Sequence, residues 1–310
     1  MSSKVAFVFP VQGAQKVGMG KAAYDADETA RAVFDGADRA LGESLSKLCF
    51  EGPEESLALT ANTQPAVLTT SVALLRALGE TPDVCAGHSL GEYSANVCAG
   101  TLSFDDAVRT VRARGEFMQE AVPVGEGAMA AIMKLPPGEI DAICQAIDAP
   151  VCAVNYNSPA QTVIAGSAAG VEEANRRIAE AGGRAIPLAV SAPFHSPLME
   201  PAEAALRPRL EGLAFQDPTV PIYVNVDGAA VCSGDEARSA LVRQVSRPVR
   251  FQQAVEAMIA DGVGLFVEIG PGRVLSGLIA RIDRGAKRVA VQGPDDFSTA
   301  REAIAAARAV

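Results

Sequence analysis

The stretch Asp83–Gly100, DVCAGHSLGEYSANVCAG, constrains the fold more than any other part of the chain. A short apolar run, Val84 to Ala86, predicts a buried strand and leads directly into the G-x-S-x-G pattern of residues 87–91. Residues 92–99 predict a helix that ends at Gly100. Strand, sharp turn and helix in this order are typical of a nucleophile elbow, in which a strained turn exposes a serine hydroxyl. The alternative is a chance occurrence of five common residues.

The elbow pattern predicts a reactive serine at position 89. Gly87 and Gly91 lack side chains, so the strand and the helix can approach each other closely around Ser89. The backbone N–H of Leu90 lies at the start of the helix, where it would stabilise the oxyanion of an acyl-transfer reaction. The pattern therefore predicts nucleophilic catalysis by Ser89, with Leu90 as one oxyanion donor.

The small number of histidines identifies the candidate base. A serine nucleophile needs a general base, and histidine is the usual one. The chain has two histidines: His88 adjoins Ser89, so the two side chains should diverge, and the other is His195. Pro193 and Pro197 flank His195 and predict a tight, extended turn around it. His195 is therefore the predicted base.

A single arginine lies on the apolar stripe of a predicted helix. Ser103 caps this helix, which we expect over residues 104–122. Positions 107, 111, 114, 118 and 121 recur at helical spacing and hold Ala, Val, Arg, Met and Ala. A guanidinium on a buried face needs a partner, because it cannot lose its proton. Three interpretations of Arg114 stay open: an internal salt bridge, a packed stem whose head reaches water, or a site for a substrate carboxylate.

The remaining elements alternate between strands and helices. The strand of residues 5–9 leads into a glycine-containing loop, residues 10–20, which could supply a second oxyanion N–H. A phosphate loop is the weaker alternative, because the terminal Gly-Lys-Ser/Thr is missing. Further expected features are an irregular helical stretch over residues 22–60 with breaks at Gly36, Gly42 and Gly52-Pro53, a helix from Pro65 to Leu78, and a final helix near Val274 to Arg281.

Residues 128–190 differ in character and predict a separate subdomain. Their pattern gives strand, helix, strand, strand, helix and strand, which is the ferredoxin-like βαββαβ order. A linker that contains proline and glycine, residues 123–127, precedes them. About 65 residues in this order are enough for an inserted subdomain.

Composition and charge argue against several classes of protein. The chain has 310 residues, 49% hydrophobic and 21% charged, and a formal net charge of −10. This balance argues against nucleic-acid binding. No apolar stretch approaches about 20 residues, so no membrane span is expected. The six cysteines show no CxxC and no metal-ligand spacing, which indicates buried free thiols, no metal site and a reducing cytoplasm.

Short motifs are spread along nearly the whole chain. They are Phe9-Pro10 with Gln12-Gly13-Ala14-Gln15, Asn62-Thr63-Gln64-Pro65-Ala66, Gly87-His88-Ser89-Leu90-Gly91-Glu92-Tyr93, Arg114-Gly115, Pro193-Phe194-His195 before Leu198-Met199, Gln244 with Pro248-Val249, and Glu268-Ile269-Gly270-Pro271-Gly272. With these motifs the chain resembles the malonyl-CoA:acyl carrier protein transacylases of bacterial fatty-acid synthesis. The resemblance implies an α/β fold: a hydrolase-like parallel-sheet core with an inserted ferredoxin-like (βαββαβ) subdomain. We expect residues 1–125 and 195–310 to form the large catalytic domain and residues 126–194 the small subdomain.

The resemblance also implies roles for the matching residues. Ser89 would carry the acyl group, His195 would be its base, and Arg114 would bind the malonyl carboxylate. The backbone carbonyl of Gln244 would orient the imidazole in place of an acid. Gln64 is a further candidate for a supporting contact near the site.

Two features of the implied site concern the oxyanion loop and the acyl pocket. The implied oxyanion hole consists of the N–H groups of Gln12 and Leu90. The family usually has glycine at the position of Val11, and a β-branched residue resists positive φ, so either that angle is not needed or the loop differs here. In related polyketide loading domains, phenylalanine at the position of Phe194 accompanies malonyl selection, since its ring occupies the space of an α-methyl group.

The implied function is transfer of the malonyl group from malonyl-CoA to the phosphopantetheine thiol of an acidic acyl carrier protein, through a malonyl-serine intermediate. No bound cofactor is expected, because CoA and phosphopantetheine belong to the substrates. Neither nucleic acid nor a membrane is an expected partner, and a cytoplasmic location is expected. The alternatives are a freestanding malonyl loader for a polyketide synthase, a serine esterase or thioesterase, and a non-catalytic binding subunit on the same fold.

Overall fold

The structure is a computed structural model that describes residues 3–190 and 192–309. Within these residues the strands are β1 (Lys4–Phe9), β2 (Val84–Gly87), β3 (Gly127–Met133), β4 (Val151–Ser158), β5 (Gln161–Ser167), β6 (Arg184–Pro187), β7 (Ile222–Val224), β8 (Ala229–Val231), β9 (Val263–Ile269) and β10 (Lys287–Val291). The α-helices are α1 (Lys21–Ala26), α2 (Glu28–Leu41), α3 (Leu45–Glu51), α4 (Glu54–Leu57), α5 (Thr60–Leu78), α6 (Gly91–Cys98), α7 (Phe104–Glu120), α8 (Pro137–Gln145), α9 (Ala168–Glu180), α10 (Glu200–Glu211), α11 (Gly234–Arg243), α12 (Phe251–Ala260), α13 (Val274–Ile282) and α14 (Phe297–Arg308).

The larger sheet has six strands in the order β10-β9-β1-β2-β7-β8. Its neighbours are parallel except β7 and β8, which form a hairpin. The central strands β1 and β2 are apolar runs whose residues are almost all buried, as expected for parallel strands with both faces covered. Phe9 pairs with Gly87, so the carboxyl ends of β1 and β2 meet at one edge. The loop after β1 and the turn after β2 therefore lie side by side, where open α/β sheets bind ligands.

The smaller sheet has four antiparallel strands in the order β4-β5-β3-β6. Helices α8 and α9 pack on it, and Ile132, Ile140, Ile164 and Ile178 belong to the core between them. This is the ferredoxin-like arrangement, and together with the parallel sheet it confirms the predicted fold class. The exact domain boundaries, at residues 125/126 and 194/195, stay a prediction.

Two helices differ from their predicted extents. Helix α5 begins at Thr60 instead of Pro65, so the proline lies inside the helix and removes one N–H hydrogen bond. The residues before Pro65 pack closely against α7, since a Cβ added at Gly115 would lie 2.6 Å from the Cα of Ala61. Helix α2 continues through Gly36, because its apolar face stays buried on both sides of that glycine. Tertiary packing overrides both local signals.

The last predicted helix, α13, is not the last element. Strand β10 follows it and joins the larger sheet beside β9, and α14 packs against that edge. Strand β7 also turns back into β8. The short edge strand β10 begins with Lys287 and Arg288, and such charged edges carry a weak strand signal. In the described ranges no helix combines the length and the apolar character needed to cross a membrane.

The six cysteines are all free thiols. The expected burial is wrong for Cys232, which lies in the exposed turn between β8 and α11, and holds only in part for two cysteines at element ends, which still pack against the core. Cys49, Cys85 and Cys144 are buried, Cys98 and Cys152 are partly exposed, and Cys232 is exposed.

Candidate active site

The turn after β2 has the geometry of a nucleophile elbow. Ser89 has a φ of 51°, in the left-handed region that non-glycine residues rarely adopt. Gly91 packs against the end of β1, since a Cβ added there would lie 2.0 Å from the carbonyl oxygen of Phe9. A Cβ added at Gly87 would lie 1.9 Å from the carbonyl carbon of Gly91. The two glycines therefore permit the close approach that the sequence pattern predicts.

His195 lies within hydrogen-bond distance of the serine. Its Nε2 is 2.7 Å from Oγ of Ser89, and its Nδ1 is 2.7 Å from the backbone carbonyl oxygen of Gln244. A carbonyl oxygen can only accept, so Nδ1 carries a proton and Nε2 of a neutral ring is free to accept the serine proton. Burial, followed by the charge of Arg114, lowers the pKa of His195 to about 3. The imidazole is therefore neutral at physiological pH, the state a base requires.

The loop around His195 differs from the extended turn that the prolines predict. His195 has a φ of 64°, and the N–H of Ser196 lies 3.4 Å from the carbonyl oxygen of Pro193. His195 is thus the third residue of a tight turn, a position that takes positive φ in several turn types. The left-handed backbone and the Nδ1 contact together fix the ring toward Ser89.

His88 binds elsewhere, although it precedes the serine. Its Nε2 lies 2.7 Å from Oδ1 of Asn157 on β4. Burial lowers the pKa of His88 to about 4. His88 therefore connects the larger sheet to the smaller one and makes no contact with the Ser89 hydroxyl.

Arg114 is buried, and in the part of the chain that the structure describes the nearby Glu92 carboxyl group acts on it only from beyond salt-bridge distance. Its side chain is 1% exposed. Nη1 donates to Oε1 of Gln64 at 2.7 Å, and Nη2 donates to Oε1 of Gln244 at 2.8 Å and to Oγ of Ser89 at 3.2 Å. No salt bridge within 4.0 Å involves Arg114 in those ranges, and its Nε–H has no partner there. These contacts rule out the internal salt bridge and the solvent-reaching head.

Of the two predicted oxyanion donors, Leu90 directly follows the serine and Gln12 lies in the loop after β1. Across residues 3–190 and 192–309, neither the N–H of Leu90 nor that of Gln12 makes a hydrogen bond within the chain. Leu90 is buried and Gln12 is partly buried, so both N–H groups are available as donors to an oxygen in the cavity. Val11 does not have positive φ, whereas Gly13 has a φ of 102°. The positive φ that glycine permits is therefore not needed at position 11.

These side chains surround a cavity of about 100 Å³ between the two sheets. Its polar lining consists of Ser89, His195, Arg114, Gln12, His88 and Asn155. The rest of the lining is apolar and comes from both parts of the chain: Val11, Met118, Met129, Leu188, Val190 and Phe194. An apolar cavity with a few convergent polar groups is the usual form of a small-molecule site.

Two buried polar residues complete the site and were not predicted. Asn225 follows β7, and its Oδ1 accepts from the N–H of Ser89 at 2.6 Å. Glu92 lies in the first turn of α6, and its Oε2 accepts from the N–H of Asn225 at 2.7 Å and from Nε2 of Gln244 at 3.1 Å. The signal for Asn225 was a polar residue at the carboxyl end of a buried strand. The signal for Glu92 was its place directly after the elbow.

The parallel sheet places an elbow serine, a neutral histidine and a buried arginine at one cavity. These features define a class of α/β proteins in which a serine acts as the nucleophile in group transfer. The acyl transferase domain family matches residues 6–294 of this chain. The chain belongs to the malonyl CoA-acyl carrier protein transacylases, and it is an acyltransferase. The resemblance drawn from its motifs is thereby confirmed.

Individual relatives match over nearly the full length. The malonyl CoA-acyl carrier protein transacylase of Bacillus subtilis is 48% identical over 309 residues, which cover 97% of this chain and 98% of that protein. An acyl-carrier-protein S-malonyltransferase from Burkholderia pseudomallei superposes with a TM-score of 0.94 at 44% identity, covering 96% of this chain and 99% of that one. A malonyl-transacylase in complex with its holo type II PKS acyl-carrier protein gives a TM-score of 0.94 at 45% identity, covering 97% and 100%.

Proposed function

We propose that this protein transfers the malonyl group of malonyl-CoA to the phosphopantetheine thiol of an acyl carrier protein, for fatty-acid synthesis. The observation that carries the proposal is Arg114, a buried cation 3.2 Å from the serine hydroxyl whose nearest partners are amide oxygens. A guanidinium can bind a carboxylate through two parallel hydrogen bonds. Malonyl carries such a carboxylate at the end remote from its thioester, whereas acetyl does not. The substrates and partners named for the relatives agree with this assignment.

The first half of the proposed reaction acylates the serine. Nε2 of His195 takes the proton of Ser89 Oγ as the oxygen attacks the thioester carbonyl. The N–H groups of Gln12 and Leu90 would stabilise the oxyanion, and each such donor is typically worth about 3 kcal/mol. The C–S bond then breaks, the CoA thiolate takes the proton from His195, and a malonyl-serine ester remains.

The second half repeats these steps with the carrier protein. The phosphopantetheine thiol gives its proton to His195 and attacks the ester carbonyl, and Ser89 Oγ leaves as the C–O bond breaks. His195 returns the proton to Ser89, so the enzyme ends unchanged. The residues on hand supply base, oxyanion donors and a carboxylate site, so the proposal needs no bound cofactor or metal. A cytoplasmic location is also proposed, with the six free cysteines as support.

The apolar lining suggests a further preference in the same pocket. Phe194 is 8% exposed and lines the cavity one residue before His195. Its ring takes up volume where a branched acyl group would need space. We therefore expect malonyl-CoA to be preferred over methylmalonyl-CoA as well as over acetyl-CoA.

Intact-mass measurement after incubation with malonyl-CoA tests the proposal. The protein should gain the mass of one malonyl group and lose it when holo carrier protein is added, while the carrier gains the same mass. Ser89→Ala should gain nothing. Ser94→Ala, at a buried serine of helix α6, is the matched control and should be acylated normally. Acylation of Ser89→Ala, or a wild type that stays unmodified, would reject the proposed function.

A further inference from the structure

A buried hydrogen-bond network connects the elbow to Arg114, and Glu92 lies at its centre. The Glu92 side chain is fully buried. Its Oε2 accepts from the backbone N–H of Asn225 and from the side-chain Nε2 of Gln244, whereas Oε1 has no partner among the described residues. A buried carboxyl group with an unpaired oxygen lowers stability. Its contacts point to a role other than stability.

The two partners of Glu92 hold the main chain of Ser89 from both sides. Asn225 accepts from the N–H of Ser89 at 2.6 Å and donates to the carbonyl oxygen of Gly87 at 2.7 Å. Gln244 donates to the carbonyl oxygen of Ser89 at 2.9 Å. The positive φ of Ser89 is unfavourable for a residue with a side chain and persists only when its surroundings fix it. Glu92 contacts both residues that do so, through the backbone N–H of Asn225 and the side-chain Nε2 of Gln244.

Glu92 also sets which way the Gln244 amide faces. Nε2 of Gln244 is surrounded by oxygens, namely the carbonyl of Ser89, Oε2 of Glu92 and, at 3.5 Å, Oδ1 of Asn225. Its Oε1 therefore faces Arg114, from which it accepts at 2.8 Å. The reversed amide would place oxygen against oxygens and N–H groups against the guanidinium, so both pairs would repel. One carboxyl oxygen thus contributes to the placement of the arginine.

We propose that Glu92 is a positioning residue that holds Ser89 and Arg114 in one geometry through its acceptor atom Oε2. The effect on Ser89 follows from the contacts alone, whereas the effect on Arg114 rests on the proposed function, in which Arg114 binds the malonyl carboxylate. The role requires an acceptor and not a charge. Burial raises the pKa of Glu92 to about 7, so a neutral side chain is already accommodated there. An amide at position 92 should therefore keep most of the effect.

The test measures Ser89 reactivity separately from malonyl transfer. An uncharged fluorophosphonate labels Ser89, forming the Oγ–P bond as fluoride leaves and the proton passes to His195, and the rate constant is followed by intact mass. Glu92→Leu, which has no acceptor, should lower this rate constant about 10- to 100-fold, the loss expected for a misplaced reacting group, and should raise KM for malonyl-CoA. Glu92→Gln should retain most of the labelling rate and most of the affinity for malonyl-CoA.

Glu268 provides the matched control. It is 1% exposed, accepts from the N–H groups of Leu275 and Ser276, and has no hydrogen bond to the site residues among the described residues. Glu268→Gln and Glu268→Leu should lower the unfolding temperature but leave the labelling rate constant unchanged. If Glu92 had a purely structural role, its variants would behave like those of Glu268. They would change the amount of folded protein but not the labelling rate constant.

A second variant keeps the inference testable if Glu92→Leu does not fold. Glu92→Asp retains the carboxyl group but is one methylene too short to reach both partners, so its labelling rate should also fall. Wild-type labelling by folded Glu92→Leu or Glu92→Asp would overturn the inference, as would equal losses in Glu92→Gln and Glu92→Leu. If the wild type fails to accept malonyl-CoA while the labelling rates follow this pattern, the proposed function falls and the role of Glu92 at Ser89 stands.

Discussion

At the residue scale, a neutral histidine and a permanent cation meet at one serine oxygen. Oγ of Ser89 lies 2.7 Å from Nε2 of His195 and 3.2 Å from Nη2 of Arg114. The charge of Arg114 adds to burial in lowering the pKa of His195, so it helps to keep the base unprotonated. The same charge has only amide and hydroxyl oxygens as hydrogen-bond partners in the described residues. It is therefore available to a substrate carboxylate.

Substitution of Arg114 should change substrate preference. Arg114→Ala should lower kcat/KM for malonyl-CoA by about 100-fold, which corresponds to about 3 kcal/mol for charge-assisted hydrogen bonds lost in a buried site. Acetyl-CoA should be affected much less, because it has no carboxylate to leave unpaired. Arg114→Lys should restore malonyl transfer only in part, since an ammonium lacks the planar fork. The measurement is kcat/KM for both thioesters, and an unchanged malonyl preference in Arg114→Ala would assign selectivity elsewhere.

The two histidines should respond differently to substitution. His195→Ala should lower kcat by about 10²- to 10⁴-fold, the usual contribution of a general base. His88→Ala should act through packing, because His88 binds Asn157 and not the serine. Steady-state transfer rates of both variants, normalised to folded protein, decide the matter. A near-normal His195→Ala beside an inactive His88→Ala would reverse the assignment.

At the scale of elements, local patterns predicted what is locally encoded. The elbow, the capped helix α7 and the βαββαβ order of the smaller sheet follow from spacing, caps and turn residues, and the structure has all three. The start of α5 could not be predicted, because Pro65 favours a later start and the packing of the preceding turn against α7 is not encoded locally. Glu92 and Asn225 were missed for a related reason. Their importance lies in partners distant in sequence, which no local pattern contains.

The contact between α5 and α7 should be sensitive to a single methyl group. Gly115 of α7 abuts the backbone of Ala61, and these helices also bring Gln64 to Arg114. Gly115→Ala should lower the free energy of unfolding by about 1–3 kcal/mol through overpacking, and should raise KM for malonyl-CoA as the helices separate. Gly277→Ala in α13, where nothing lies within 4 Å, is the control and should be neutral or slightly stabilising. Equal behaviour of the two variants would contradict this view.

At the scale of the whole molecule, the site depends on both sheets. The elbow, Arg114 and His195 come from outside the smaller sheet, while Met129 of β3 and Asn155 of β4 line the same cavity. Two backbone hydrogen bonds join the parts near the site: the N–H of Val249 donates to the carbonyl oxygen of Val154, and the carbonyl oxygen of Val249 accepts from the N–H of Tyr156, both on β4. The hydrogen bond between His88 and Asn157 is a third connection. The shape of the cavity therefore depends on how the two parts pack, and so does the burial of His88 and His195.

This burial predicts how stability depends on pH. The pKa of His88 is lowered to about 4 and that of His195 to about 3, from 6.5 in the unfolded chain. Below pH 6.5 the unfolded state therefore binds protons that the folded state excludes, and the free energy of unfolding falls as pH falls. Glu92 has the opposite effect, because its pKa is raised from 4.5 to about 7 and the folded state binds its proton first. Burial also raises the pKa of Glu268, so this carboxyl group offsets the two histidines in the same direction as Glu92.

Comparison of the wild type with His88→Gln isolates the contribution of His88, because all other titratable groups are shared. Between pH 7 and pH 5, His88 alone should cost about 2 kcal/mol, given about 1.4 kcal/mol per pKa unit. His88→Gln should remove this cost, so its urea-unfolding free energy should fall less over that range than that of the wild type by about 2 kcal/mol. Gln can still contact Asn157, which limits the loss of stability at pH 7. Parallel pH profiles for wild type and His88→Gln would show that His88 is protonated in the folded protein as readily as in the unfolded chain.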